Sequence, residues 1–400
     1  MRILMISQHY PPRLSGYALI CADASGALRR RGHVVRVLTS VDEPTDARED
    51  GDVRRVLRRC PVEGYQTTGL RGAFVYFDHR RIFGRNAALA AAHARDFAAD
   101  LAVVWQFDSL GPDLVQALYR LGVPVVFSAA DVFLSILRGL LIENPGLVWR
   151  AARSVFYRTL VRELDRSPLV LSSEALREHY LGAGFDARLM TVIPVSIDAG
   201  HIAATPPPAG PGNRLLYAGR LHPWKGIDVA LRALAILNAD ARRRFTLDLV
   251  GDGDAPYVAE LRELTRTLGL DDAVRFLGAV DRDRLMRLYD RYDMSLVPSV
   301  CHEGGPLTLV ESLARGVPVV ASDRGGPRSL LTHGVDGLLV EPESAEALAA
   351  GVRQLADDPQ LRRAMGERGL VKVRERFSLD GHVASLEALL RRVAKGKTST

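Results

Sequence analysis

A proline- and glycine-rich stretch, ATPPPAGPGN at 204–213, separates two halves that repeat one pattern: short apolar runs alternating with helix-length amphipathic segments. Ahead of it lie RILMIS (2–7), a helix over 16–31, HVVRVLT (33–39), VRRVL (53–57), a helix near 86–99, LAVVW (101–105), a helix near 110–120, VPVVFS (123–128), PLVLSS (168–173) and a run at 190–198. Behind it the alternation restarts with RLLYAG (214–219), FTLDLVG (245–251), VRFLG (274–278), MSLVPS (294–299), VPVVAS (317–322) and GLLVEP (337–342), with helices between them. Three further helices, near 344–356, 359–373 and 380–394, close the chain. A strand that is apolar along its whole length must be covered on both faces, which is the condition of a parallel sheet wrapped by helices. The expectation is an α/β chain of two doubly wound, Rossmann-like domains facing across a cleft, with the site at the carboxyl ends of the strands. The domains are expected at 1–200 and 214–378, joined by a linker at 201–213. The segment 379–400 is read as a helix returning toward the first domain, followed by a basic tail.

The length of 400 residues exceeds what one hydrophobic core usually supports, in keeping with two domains. Lys plus Arg number 53 against 47 Asp plus Glu, a net +6 that is spread along the chain, so nucleic acid is not expected as a partner. Only Lys225, Lys372, Lys395 and Lys397 are lysines. Cys21, Cys60 and Cys301 share no metal or redox spacing, which suits a reducing compartment. The short ILMIS run is read as too short for a signal peptide, and with no uncharged apolar run long enough to span a bilayer a spanning helix is not expected. A cytoplasmic protein is expected, with peripheral contact at the inner face of the membrane as an extension of that reading. That extension rests on residues 132–160, rich in Leu, Ile, Val and Phe with Trp149, Arg138, Arg150, Arg153 and Arg158, read either as an amphipathic flap or as helices packed on the sheet.

Three constellations carry chemistry. The loop HYPPRLSGYA (9–18) follows the first strand and opens a helix, where Gly16 would let backbone amides approach an anion. In YAGRLHPWKG (217–226), Gly219 ends a strand and Arg220 and Lys225 bring a guanidinium and an ammonium to a helix start, which suits a diphosphate. In PSVCHEGGPLTLVESLARGVPVVAS (298–322), Glu303 and Glu311 are separated by seven residues and flank Gly304, Gly305, Pro306 and Leu307. Carboxylates accept hydrogen bonds from vicinal hydroxyls, and one set in an apolar helix needs a partner.

These segments, together with LVGDG (249–253) and the run Ala314, Gly316, Pro318 and Val319 to Ser322, resemble the retaining GT-B-type glycosyltransferases of the large family 4, or group 1, type. The resemblance is strongest over 214–342. It implies hexosyl transfer from a nucleotide diphosphosugar, UDP- or GDP-linked, to an acceptor hydroxyl with retention of configuration, in a bacterial-type enzyme without a cofactor or catalytic metal. By the same resemblance Arg220 and Lys225 grip the diphosphate and Glu311 holds the ribose. Glu303 lies at the donor sugar, while Gly16, Gly219, Gly251, Gly304, Gly305, Pro306 and Leu307 line the donor. The family commonly has histidine before Asp131; here the position is Ala130, so Asp131 itself or His9 is expected to serve the acceptor side. Arg328 stands where a glutamate is frequent. The acceptor is left open among lipid-linked, natural-product and saccharide classes. A related epimerase or phosphorylase stays as an alternative, although no lysine between Lys225 and Lys372 offers a tether for pyridoxal phosphate. So does a non-catalytic nucleotide-sugar-binding protein, the reading that Ala130 suggests.

Overall fold

A computed structural model describes residues 1–12, 15–41, 52–60, 70–139, 158–204, 210–239 and 243–396, with the side chains of 70–78, 158 and 161 left out. Residues 140–157, the greater part of the expected flap, lie outside it, as do 205–209 of the expected linker and the tail 397–400. The chain divides into two compact units, one of Met1–Ile193 with the chain from Asp380 onward, the other of Pro194–Leu379. The division precedes the proline-rich stretch because residues 194–204 are stitched into the second unit. Leu379 N donates to the Ile197 carbonyl at 3.0 Å and Ala203 N to that of Ala314 at 2.8 Å.

The first unit is built on seven parallel strands: β1 (Arg2–Ser7), β2 (Val34–Ser40), β3 (Asp52–Leu57), β4 (Leu101–Gln106), β5 (Val125–Ala129), β6 (Leu169–Leu171) and β7 (Met190–Val192), ordered β3-β2-β1-β4-β5-β6-β7. The second has six: β8 (Arg214–Ala218), β9 (Thr246–Val250), β10 (Val274–Gly278), β11 (Met294–Val297), β12 (Val319–Ser322) and β13 (Gly337–Val340), ordered β10-β9-β8-β11-β12-β13. Both are Rossmann-like, and in each the strand order reverses beside the first strand of the unit, between β1 and β4 and between β8 and β11. Leu4, Ile6, Val104 and Phe127 fill the first core, and Leu215, Leu247, Leu296 and Val320 the second. Each such side chain contributes about 1.5–3 kcal/mol by leaving water.

Helix starts follow local chemistry. Ser15 caps Gly16–Arg30 by accepting from Ala18 N at 3.1 Å, and Asp281 caps Arg282–Tyr289 by accepting from Arg284 N at 2.8 Å. One helix departs from expectation: Leu70–Asp96 begins well before residue 86. Gly84 and the clustered arginines hide its period, and packing overrides them. Phe83 is fully buried, while buried Asn86 accepts from Arg58 N at 3.0 Å and donates to the carbonyls of Arg58 and Leu110. Among the described residues no helix is long and apolar enough to cross a membrane.

Candidate active site

The point at which strand order reverses leaves a crevice at the carboxyl ends of neighbouring strands, and in the second unit these are β8 and β11. The chain after β8 is tightly constrained. Gly219 N donates to the Val250 carbonyl and Gly251 N to that of Gly278, both at 2.9 Å, so these two glycines extend the sheet edge. The Tyr217 hydroxyl donates to the Arg220 carbonyl at 2.8 Å, leaving the Arg220 guanidinium exposed. A short 3-10 turn, Pro223–Lys225, ends at Gly226 with φ of 64°, and a Cβ there would run into the Pro298 carbonyl oxygen. Only glycine fits both the conformation and the contact. The turn is thereby pressed onto the loop after β11, where Val300 N donates to the Trp224 carbonyl at 3.0 Å.

That contact brings two of the expected residues together. Lys225 Nζ lies 2.5 Å from Glu303 Oε2, with the two side chains 30 % and 11 % exposed. The other carboxylate oxygen, Oε1, accepts a hydrogen bond from the Ser299 hydroxyl. From the far side Gly326 N donates to the Glu303 carbonyl at 2.5 Å, and Gly325, with φ of 60°, packs so closely that a Cβ would stand 2.8 Å from the same oxygen. Glu303 is thus held by backbone and side chain at once. Its charge adds to burial in pushing the Tyr217 phenol well above its usual range, and likewise raises the half-buried Cys301 thiol.

Glu311 sits one helix further on. The helix Leu307–Ala314 starts directly after the glycine loop, with half-buried Gly305 between buried Gly304 and buried Pro306 as its lead-in. Its Glu311 side chain is 2 % exposed and lies 3.4 Å from Arg282 Nε, an ion pair that answers the cost of a carboxylate in an apolar helix. The Tyr289 phenol, raised first by burial, is raised further by the Glu311 charge. Lys225 and Glu303 are therefore directly paired, Glu311 is paired with Arg282, and Arg220 makes its close contact through its carbonyl. Arg328 lies 3.6 Å from Asp323 in an exposed ion pair.

Sequence reasoning passed over Ser299, Arg282, Gly325 and Gly326. The double glycine after β12 was the available signal; a serine after proline and an arginine at a helix start carry none. The site glycines also differ from one another. Gly219, Gly226 and Gly251 have positive φ, whereas Gly16, Gly304 and Gly305 do not.

In the first unit Gly16 is exposed at the opening of its helix, and the neighbouring Ser15 hydroxyl already takes one of the free amides. The Ala130 amide, at the position of the missing histidine, donates to the Tyr17 hydroxyl. Asp131 Oδ1 accepts from Phe133 N at 2.9 Å, and the Tyr180 hydroxyl donates to the Asp131 carbonyl at 3.0 Å. Burial raises the Asp131 carboxyl above its ordinary value, opposed by hydrogen bonds from the Phe133 amide and the Tyr17 hydroxyl. His9 is buried after β1.

Residues 203–371 match the family "Glycosyl transferases group 1" and residues 15–196 the "Glycosyl transferase 4-like domain". Glycogen synthase of Mycobacterium tuberculosis is 30 % identical over 400 residues, covering 95 % of this chain and 91 % of that protein. An exopolysaccharide phosphotransferase of Streptomyces coelicolor is 37 % identical over 158 residues, which are 39 % of this chain and span only 16 % of that protein's length. Among solved structures, Anabaena HepE in complex with UDP and glucose superposes with a TM-score of 0.74 at 22 % identity, covering 98 % of this chain and all of that one, a likeness of GT-B fold.

Proposed function

The chain belongs to the group 1 glycosyltransferases, and on that footing we propose that it moves a hexosyl group from a nucleotide diphosphosugar to an acceptor hydroxyl with retention. The observation that carries the reading is the Lys225–Glu303 pair, held at the β8–β11 reversal where α/β sheets bind ligands. Breaking the bond from sugar to diphosphate builds negative charge on the departing phosphate. The exposed Arg220 guanidinium and the Lys225 ammonium are the cations that stabilise it. Glu303, already hydrogen-bonded by Ser299, offers a carboxylate to the donor sugar hydroxyls once the ammonium turns to the phosphate. Glu311 accepts hydrogen bonds from the ribose. The acceptor hydroxyl attacks the face the diphosphate leaves, and a leaving phosphate oxygen takes its proton.

HepE was crystallised with UDP and glucose, so UDP-glucose is the first donor to try, with GDP-linked sugars beside it. Nucleoside diphosphates that bind the folded chain raise its Tm by mass action, which ranks the bases before any acceptor is known. Release of free nucleoside diphosphate from the matching sugar donor, faster with acceptor than without, is the expected result. Binding without turnover across saccharide, lipid-linked and natural-product acceptors would turn the reading to a nucleotide-sugar-binding protein.

A further inference from the structure

A small pocket in the first unit has a lining that the donor site does not use. It lies at the carboxyl ends of β4 and β5, is bordered by Tyr17, Trp105, Gln106, Asp108, Ser128 and Asp131, and gives about 10 Å³ of room, enough for one water or one hydroxyl. The pairing of β1 with β4 slips at this place: Ile6 pairs with Val104 and Ser7 with Gln106, so that Trp105 is skipped. Such an irregularity breaks the strict alternation of faces, and Trp105 and Gln106 both line the pocket although they are adjacent in sequence. Trp105 is 5 % exposed. Its indole Nε1 has no acceptor among the described residues, and the buried Gln106 Oε1 has no donor. Buried polar atoms are nearly always satisfied, so an unpaired donor and an unpaired acceptor on adjacent lining residues call for a group that can both accept and donate. A hydroxyl does both. The lining also contains two carboxylates, those of Asp108 and Asp131, and no Lys or Arg among the described residues, which disfavours an anion.

We infer that this pocket is an acceptor subsite for one hydroxyl of an uncharged polyol, with the Trp105 indole N–H donating to its oxygen and the Gln106 amide oxygen accepting its proton. The inference rests on the transfer reading above and adds to it a preference for neutral over phosphorylated or carboxylated acceptors. The test uses methyl α-D-glucopyranoside and myo-inositol as neutral probes, and glucose 6-phosphate and glucuronate as anionic ones. Each is titrated against the wild type, Gln106→Leu and Trp105→Phe, reading nucleoside diphosphate release and, separately, thermal shift by the probe alone. The expected result is that a neutral probe acts on the wild type, and that its KM rises at least about 10-fold in both variants, as for a lost hydrogen bond of about 1.4 kcal/mol, while kcat at saturation and nucleoside diphosphate affinity stay within about twofold. Gln106→Leu keeps the side-chain volume and carries the test should Trp105→Phe not fold. An unchanged KM, or a preference for the anionic probes, overturns the inference and leaves a pocket for structural water. A wild type that neither binds nor turns over any sugar nucleotide overturns the transfer reading instead, and the probe-alone thermal shifts of wild type against Gln106→Leu then decide the pocket.

Discussion

At the scale of single residues the donor site separates what a charge does from what a shape does. Lys225 is a point charge at the end of a constrained turn, and an ionic hydrogen bond of its kind is worth roughly 1.5–3 kcal/mol. Lys225→Ala is accordingly expected to weaken nucleoside diphosphates about 10-fold to 150-fold while leaving the free nucleoside nearly unchanged, as read by calorimetric titration of both. Equal losses for the two ligands would take the ammonium away from the phosphates. Arg220→Lys keeps charge and loses the planar fork, so it should also bind more weakly if the guanidinium makes two parallel bonds. For Glu311→Gln the expected outcome is a smaller preference for ribose over 2′-deoxyribose donors, because a neutral amide is a weaker acceptor than a carboxylate; the ratio of kcat/KM for the two donors measures it. These residues were legible because charge in an apolar or turn context stands out of a sequence. Ser299 and Arg282 were not, since their meaning exists only once folding lays Ser299 on Glu303 and Arg282 on Glu311.

At the scale of elements, strands were read more surely than helix ends. Continuous apolar runs such as LAVVW and VPVVFS allow few solutions other than buried parallel strands, and β4 and β5 are buried along nearly all of their length. The helix Leu70–Asp96 was under-read because its stability comes from Phe83 and Asn86 packing against distant chain, which periodicity does not report. The site likewise depends on an element that carries no charge. Gly226 ends the turn that carries Lys225, and Gly226→Ala must both adopt φ near 64° and displace the Pro298 carbonyl. A left-handed non-glycine residue alone costs about 1–3 kcal/mol. Gly226→Ala should therefore lose at least that much stability in urea unfolding. It should also lose nucleoside diphosphate affinity, since relief of the clash moves the turn off the β11 loop. Wild-type stability in this variant would mean that the turn relaxes freely, and the close packing would then explain nothing about the placement of Lys225.

At the scale of the whole molecule, the chain passes through the second unit and then contributes its last helix, Leu379–Gly396, to the first, apart from the leading Leu379. Beside its buried apolar face, that helix is tied down by a polar cluster around Glu387. Arg391 donates to it at 2.6 Å, His33 Nε2 lies 3.0 Å from Oε1 and Arg31 Nη1 lies 3.2 Å from Oε2. The Arg391 hydrogen bond first, then His33 and Arg31, lower its carboxyl from 4.5 to about 2 against the opposing cost of burial. A carboxyl with a depressed folded-state pKa stabilises the native state fully above its unfolded value and loses that contribution as the pH falls through the folded one. Here the window runs from about 4.5 down to about 2. With Arg31 and Arg391 partly exposed, the contribution is expected near the upper end for surface pairs, roughly 1 kcal/mol. Glu387→Gln should thus be less stable than the wild type by about that amount at pH 7, and the gap should shrink as the pH is lowered through this window. Urea midpoints of the two proteins at pH 7, 5 and 3 provide the comparison, since their difference cancels the other carboxylates that titrate over the same range. A gap as large at pH 3 as at pH 7 would assign the loss to packing of the altered side chain, and a gap absent at pH 7 would mean that the helix is held by its apolar face alone, through Val383, Leu386 and Leu390.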